Sequence, residues 1–380
     1  MTSRGPEVAH PRLLILVGTK AQFIKTAPVL RELDKQGIAY RLVYTGQHSE
    51  TFDLLEAAFG TRAPDEILVP DFEAATHQSF LSWCLRFWWA TLRRITGGHW
   101  RGTHIGLVHG DTASTLFGAL AVRLAGGRVG HIEAGLRSTK LLEPFPEEII
   151  RRLVSRLSAL HFVPDSLAAR NLLGVRGRVI DTRGNTLRDA LSMSLERMES
   201  LPNEGGTGDY AIASIHRSEN LSQSATLNLL MEELVAISQQ IPLKFVLHPA
   251  TRAKLASSGW LPRLQQQPQL QLLERMDYPD FVAMLIGSRF LLTDGGSNQE
   301  EAAMLGLPTL LLRRATERSD GLGDNVVLSG LQRDAIRAFA ARNMDKRWRL
   351  RLVDTASPTM RIVDVLTAEL AGAKSLGNAL

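Results

Sequence analysis

Residues 105–133 read IGLVHGDTASTLFGALAVRLAGGRVGHIE. Two short apolar runs, Ile105–Val108 and Val129–Ile132, bracket a stretch whose apolar residues recur at helical spacing. Apolar runs of this length joined through a helix make a βαβ unit, because parallel neighbours need a crossover of a dozen or more residues. A carboxylate follows each run, Asp111 after the first and Glu133 after the second. Beyond Pro144-Phe145-Pro146 come two more, Glu147 and Glu148, with Arg137 and Arg151 nearby in sequence. In an open α/β sheet, ligands bind outside the carboxyl ends of the strands. The stretch therefore gathers acids at one mouth, where a carboxylate with raised proton affinity can take a proton from a substrate carbon and return it. The plainer alternative is a helix cap at Asp111 and ion pairs to the two arginines.

The same alternation runs outward in both directions. Strands are expected at Leu13–Val17, Tyr40–Tyr44, Ala159–Val163 and Arg178–Asp181, and in the second half at Tyr210–Ser214, Leu243–Leu247, Gln269–Leu272, Phe290–Thr293 and Thr309–Leu312. Helical patterns separate them, so the expected class is α/β, with two doubly wound, Rossmann-like domains facing a central cleft. The break is expected near Gly184-Asn185 or in the polar segment PNEGGTGD, Pro202–Asp209. The division adopted is 1–183, 184–360, and a C-terminal helix over 361–380 packing back on the first domain.

A length of 380 residues suits two domains rather than one core. The single cysteine, Cys84, excludes a disulfide framework and a multi-cysteine metal site. It fits a cytoplasmic setting. No secretory signal is visible, and no apolar run approaches the ~18 residues of a membrane span. A net charge of +5 favours anionic partners. No aromatic-basic module or long basic run points to nucleic acid, and none is expected as a partner.

Three further segments carry chemistry. Gly18-Thr19-Lys20-Ala21-Gln22-Phe23-Ile24-Lys25 follows the first strand and should open a helix whose N-terminus attracts an anion, with Lys20 and Lys25 adding charge. Thr293-Asp294-Gly295-Gly296-Ser297 does the same in the second half, with a helix beginning near Ser297. There the glycines let backbone N–H groups approach a phosphate, and Glu300 and Glu301 offer acceptors to ribose hydroxyls. His216, after the strand ending at Ser214, could bind a phosphate or donate a proton. His248 ends the next strand. Each has an ordinary structural alternative: a solvated lysine, a first-turn acid favoured by the helix dipole, a loop histidine.

Ser79–Arg94, SFLSWCLRFWWATLRR, stands apart. Phe80, Trp83, Cys84, Phe87 and Thr91 follow one helical row, and Leu81, Leu85, Trp88 and Leu92 a second. Such a helix is expected in a core or subunit interface, with contact at an anionic membrane surface as the alternative.

Taken together, the motifs GTKAQFIKTAP (18–28), TGQHSETFD (45–53), VHGDT (108–112), GHIEAGLRS (130–138), PFPEEIIRR (144–152), HFVPD (161–165), RGNTLRDAL (183–191), SIHRSEN (214–220), LHPATR (247–252), TDGGSNQEEAAMLGLPTL (293–310) and TERSD (316–320) resemble the non-hydrolysing bacterial UDP-N-acetylglucosamine 2-epimerase family. The resemblance spans about Leu13 to Gly330 and implies a GT-B-like fold. It implies elimination of UDP from UDP-GlcNAc across C1–C2 and re-addition to give UDP-ManNAc, a precursor for bacterial surface polysaccharides, with no metal or redox cofactor. By motif position it assigns Asp111, Glu133 and Glu147 as catalytic carboxylates and His216 as the essential histidine near the diphosphate. It also places Lys20, Lys25 and Arg151 at cationic substrate positions, and Gly295, Gly296, Ser297, Glu300 and Glu301 in the UDP loop. Gln47 and His248 match positions that hold a second UDP-GlcNAc as an activator, and a homodimer is implied. The chain has Lys20-Ala21-Gln22 where the family usually has Arg-Pro-Glu, and Asp294-Gly295-Gly296-Ser297 where it usually has Asp-Ser-Gly-Gly. A GT-B glycosyltransferase using a UDP-sugar at the inner membrane face, a hydrolysing 2-epimerase releasing ManNAc and UDP, and a non-catalytic nucleotide-sugar sensor stand beside this reading.

Overall fold

The computed structural model describes residues 11–47, 52–70, 72, 77–138, 146–198, 204–316, 318–351 and 357–377. Pro144 and Phe145 of the Pro-Phe-Pro turn, and Pro202 and Asn203 of the polar segment, lie outside them. The chain divides into two compact units, Met1–Ala190 with Ala356–Leu380, and Leu191–Thr355. The first unit thus runs past residue 183 and takes in the C-terminal helix Pro358–Gly377.

In the first unit the strands are β1 (Leu13–Val17), β2 (Tyr40–Tyr44), β3 (Glu66–Ile67), β4 (Ile105–His109), β5 (Arg128–Ile132), β6 (Ser158–Val163) and β7 (Arg178–Asp181). They form one parallel sheet in the order β3-β2-β1-β4-β5-β6-β7. Helices α1 (Lys20–Lys35), α2 (Phe52–Phe59), α3 (His77–Thr96), α4 (Ala113–Leu124) and α5 (Glu147–Leu157) lie among these strands in the chain. All of Leu13–Val17 is buried, as a strand covered on both faces requires. Gly106 lets α4 lie close on β4: a Cβ there would fall 2.0 Å from Val122 Cγ2.

The second unit holds β8 (Glu204–Gly205), β9 (Ala211–Ser214), β10 (Leu243–Val246), β11 (Leu270–Leu273), β12 (Leu291–Thr293), β13 (Thr309–Leu311), β14 (Val326–Leu328) and β15 (Trp348–Arg349). Six of these form a parallel sheet ordered β11-β10-β9-β12-β13-β14, and β15 pairs antiparallel with β8. Phe245, Phe290, Met231 and Leu264 sit at the centre of its core. In each unit the strand order reverses beside the first strand, between β1 and β4 and between β9 and β12. These switch points are where a doubly wound sheet opens a crevice for a ligand.

Helix α3 corrects one expected row. Trp83 and Phe87 are fully buried, and Trp88 packs with them against Phe117. Trp83 Nε1 donates to Thr45 O at 3.1 Å. It is Trp89, not Trp88, that joins Leu81, Leu85 and Leu92 on the exposed face, because Trp88 turns inward against Phe87 and Phe117. Among the described residues, no helix is long and apolar enough to cross a membrane.

Candidate active site

At the β1–β4 switch point, two turns meet. Thr19 caps α1 with a capping box closed by Gln22. Thr112 caps α4 in the same way with Thr115, so the cap is Thr112 and Asp111 is left to point elsewhere. Gly18 makes the approach possible, since a Cβ there would lie 2.0 Å from Ser114 Oγ and 2.5 Å from Thr45 Oγ1. Ser114 Oγ is 2.8 Å from Thr45 Oγ1 and donates to Gln47 Oε1 at 2.6 Å. Gln47 is thereby held at the end of β2, within the first unit.

Two of the acids at this mouth, Glu133 and Asp111, each have a cation. Glu133 receives Lys25 Nζ at 2.8 Å and Asn185 Nδ2 at 2.7 Å on the same oxygen, Oε1. Its backbone is left-handed, φ 64°, which costs a non-glycine residue about 1 kcal/mol or more and marks a position held by its surroundings. His109 Nδ1 lies 3.9 Å from the other carboxylate oxygen. Asp111 Oδ2 accepts from Arg151 Nε at 2.8 Å, and Arg151 Nη2 lies 2.5 Å away. Burial works against the Arg151 charge, but Asp111, Glu133 and Glu148 outweigh it and hold the guanidinium above its ordinary range.

Glu147 and Glu148 open α5 and part company there. Glu148 is fully buried, accepts from Ser138 N and Arg152 Nε, and faces Arg137 at 3.9 Å and Arg151 at 3.7 Å. It is an anchor for arginines. Glu147 Oε2 is buried without a hydrogen-bond partner among the described residues, which leaves one carboxylate oxygen for an incoming group. Behind the acids, His131 Nε2 bonds Gly110 O at 2.7 Å. Burial pushes its pKa down to about 4, so the ring is neutral and Nε2 donates.

The second unit repeats the plan at the β9–β12 switch point. Asp294, fully buried, accepts from His216 N at 2.9 Å, Arg217 N at 3.0 Å and Asn220 Nδ2 at 2.9 Å. His216 Nδ1 lies 3.5 Å from the same carboxylate, and the ring stacks on His248 with centroids 4.3 Å apart. Burial lowers the His216 pKa, with Asp294 opposing and Arg217 and Arg275 assisting. A helix begins at Gly296, one residue before the expected Ser297, and its cap Gly295 contributes no side-chain bond. Its first N–H groups therefore take no side-chain cap, and such a helix start favours an anion. A Cβ on Gly295 would lie 2.7 Å from His216 Cε1, and one on Gly296 would lie 2.9 Å from Arg318 Nε.

Glu300 and Glu301 are both buried: Glu300 lies 2.5 Å from Arg318 Nη1, and Glu301 accepts from Asn298 Nδ2 at 3.2 Å. Burial, with Glu301 beside it, pushes the Tyr278 phenol well above its ordinary range. Gln299 pins the loop after Leu312, donating to the carbonyls of Arg318 and Asp320 and accepting from Thr316 Oγ1.

Asp111, Glu133 and Arg151 with Lys25 thus cluster in the first unit, beside Glu147 at the start of α5; Lys20 opens α1 there. His216, His248, Gly295, Gly296, Ser297, Glu300 and Glu301 cluster in the second. Gln22, Asn185, Asp294 and His131 were not expected as site residues. The available signal was position, since Asp294 directly follows an apolar strand and Gln22 lies three residues after a threonine cap.

A sequence model of the family described as UDP-N-acetylglucosamine 2-epimerase matches residues 31–359. The UDP-N-acetylglucosamine 2-epimerase of Methanocaldococcus jannaschii is 29% identical over 372 residues, covering 94% of this chain and 99% of its own. That of Bacillus subtilis is 32% identical over 320 residues, covering 82% of this chain and 81% of its own. The crystal structure of the M. jannaschii enzyme in complex with UDP-GlcNAc and UDP aligns with a TM-score of 0.80 at 26% identity, over 94% of this chain and 99% of that one. The Neisseria meningitidis enzyme bound to UDP-GlcNAc aligns with a TM-score of 0.77 at 28% identity, over 94% and 99%. On its sequence and its fold, the chain belongs to the UDP-N-acetylglucosamine 2-epimerase family.

Proposed function

We propose that this protein interconverts UDP-GlcNAc and UDP-ManNAc by elimination and re-addition of UDP, without net hydrolysis. A carboxylate takes the C2 proton, the electron pair forms the C1–C2 double bond, and the C1–O bond breaks with its pair on the departing UDP. Protonation of C2 from the opposite face and re-addition of UDP give the epimer. Asp111, Glu133 and Glu147 carry the proton transfers, Lys25 and Arg151 set the charge around them, and Lys20 supplies a further cation for the substrate. Gly295, Gly296 and Ser297 bind the diphosphate with His216. Glu300 and Glu301 shape that loop through Arg318 and Asn298. Gln47 and His248 are effector positions in this reading, and the assembly is a homodimer.

The observation that carries it is the set of carboxylates at one sheet mouth, Glu133 and Asp111 each bound to its own buried cation and Glu147 with one oxygen that has no hydrogen-bond partner among the described residues. Incubation with UDP-GlcNAc in deuterated water should place deuterium at C2 and accumulate UDP-ManNAc. Free ManNAc with UDP would assign a hydrolysing enzyme. UDP release that needs an added acceptor would assign a glycosyltransferase. No exchange with any UDP-2-acetamido sugar would refute the proposal.

A specific observation favours membrane-surface contact as well. Leu81, Leu85, Trp89 and Leu92 are 52–69% exposed along α3. The helix contains no acidic residue, and Arg93 lies over the Trp89 ring at 4.7 Å. Apolar side chains with arginine alongside fit an anionic bilayer surface. Wild-type protein should sediment with phosphatidylglycerol vesicles, and a Leu85→Ser/Trp89→Ser variant should not. Loss of dimer by that variant, with no vesicle binding by wild type, would make the stripe a subunit interface instead.

A further inference from the structure

We propose that Gln22 is a positioning residue for the proton-transfer step, its carboxamide tying the turn that opens α1 to the turn that carries Asp111. The inference rests on the epimerase reading above. Gln22 is only 4% exposed. Its Oε1 accepts from Gly18 N at 2.9 Å and Thr19 N at 3.2 Å. Its Nε2 lies 2.7 Å from His109 O, 2.9 Å from Thr112 Oγ1 and 2.8 Å from Thr115 Oγ1. One side chain therefore serves both halves of the mouth, as acceptor to the first turn and donor to the second, and an amide does so without adding charge.

The two turns carry different parts of the machinery. Helix α1 brings Lys25 to Glu133, while the turn after β4 carries Asp111 to Arg151. Each carboxylate is thus fixed to its own cation, and Gln22 links the strand end that carries one acid to the helix that holds the other. His131 holds the same turn through Gly110 O, so two side chains fasten successive carbonyls of the turn that carries Asp111. A general base works only near its ideal placement, and a displacement of about 1 Å costs on the order of a hundredfold in rate.

The test compares wild type, Gln22→Met, Thr115→Val and the double variant in C2 deuterium exchange and epimer formation from UDP-GlcNAc. Thr115→Val weakens the same link from the other side, removing one acceptor of the Gln22 amide and the Thr115 Oγ1 bond to His109 O, so the question stays open to refutation if Gln22→Met does not fold. Each single variant should lower kcat by roughly 10- to 100-fold with KM within about threefold of wild type. The double variant should fall no further than the worse single one, because the two residues form one link. A Gln22→Met kcat within twofold of wild type, additive losses in the double variant, or a change confined to KM would overturn the proposal. Wild-type protein that exchanges no deuterium fails the epimerase reading and this proposal together. An active wild type with an unimpaired Gln22→Met variant fails this proposal alone.

Discussion

Replacing Asp294 with alanine removes a fully buried carboxylate that accepts from His216 N, Arg217 N and Asn220 Nδ2, all within 3.0 Å. A hydrogen bond to a charged group is worth about 1.5–3 kcal/mol, and a buried donor left without a partner costs about 1–3 kcal/mol. The three do not simply add. Asn220 keeps its bond to Leu312 O, and His216 is about a third exposed, so water reaches part of the gap. The expected loss is therefore about 3–5 kcal/mol for Asp294→Ala, and about 1–2 kcal/mol for Asp294→Asn, which retains one acceptor oxygen. A single melting temperature would blur this, because a chain with two units need not unfold in one step. Hydrogen exchange read on peptides from each sheet separates them. Amides of β9 and β12 should lose protection by about a hundredfold or more in Asp294→Ala, while those of β1 serve as the internal reference. A loss under tenfold in β9 and β12 would refute the reasoning, since it would mean that the three donors find other partners at little cost.

Acid should destabilise the first unit through His131. Its folded pKa, near 4, lies below the ordinary 6.5, so the unfolded chain binds the proton first. Stability is complete above about pH 6.5 and is lost as pH falls through 4, by about 3 kcal/mol, and this slope should be smaller in His131→Gln by urea titration at stepped pH. Gly18→Ala drives a Cβ to 2.0 Å from Ser114 Oγ and should cost about 3 kcal/mol with loss of the α1 turn; a melting temperature within two degrees of wild type would contradict it. Glu148→Gln uncovers charge on Arg137, Arg151 and Arg152 and should cost about 3 kcal/mol, at the low end for a broken buried pair because Arg152 is half in water. Denaturant unfolding of that variant measures it.

The parallel sheets were legible because both faces of their central strands are covered. Leu13–Val17 therefore reads as an unbroken apolar run, and Tyr40–Tyr44 as one interrupted only by the half-buried Arg41, each with the limits found in the structure. Strand β3, Glu66-Ile67 at a sheet edge, carries no such run, and β14, Val326-Val327-Leu328, is a run of only three residues with Val327 exposed, so neither could be read. Helix α3 shows the limit of periodicity. Both rows are apolar, so spacing alone could not tell whether Trp88 or Trp89 turns inward; the contact of the Trp88 ring with Phe117 decides it.

The acids were visible for the reason the folding scaffold was: a polar residue directly after an apolar strand has nowhere to go but the mouth of the sheet. What the sequence could not convey is which partner each acid meets, because those partners are far away in the chain. Lys25 lies 108 residues before Glu133, and Asn185 lies 52 after it. Gln22 lies 87 residues before the His109 carbonyl to which it donates. A strand end fixes where a carboxylate stands, and the switch-point crossing brings its distant cation or amide to it. The acids of such a site are thus readable one strand at a time, whereas the groups that tune and aim them become readable only when the strand order is known.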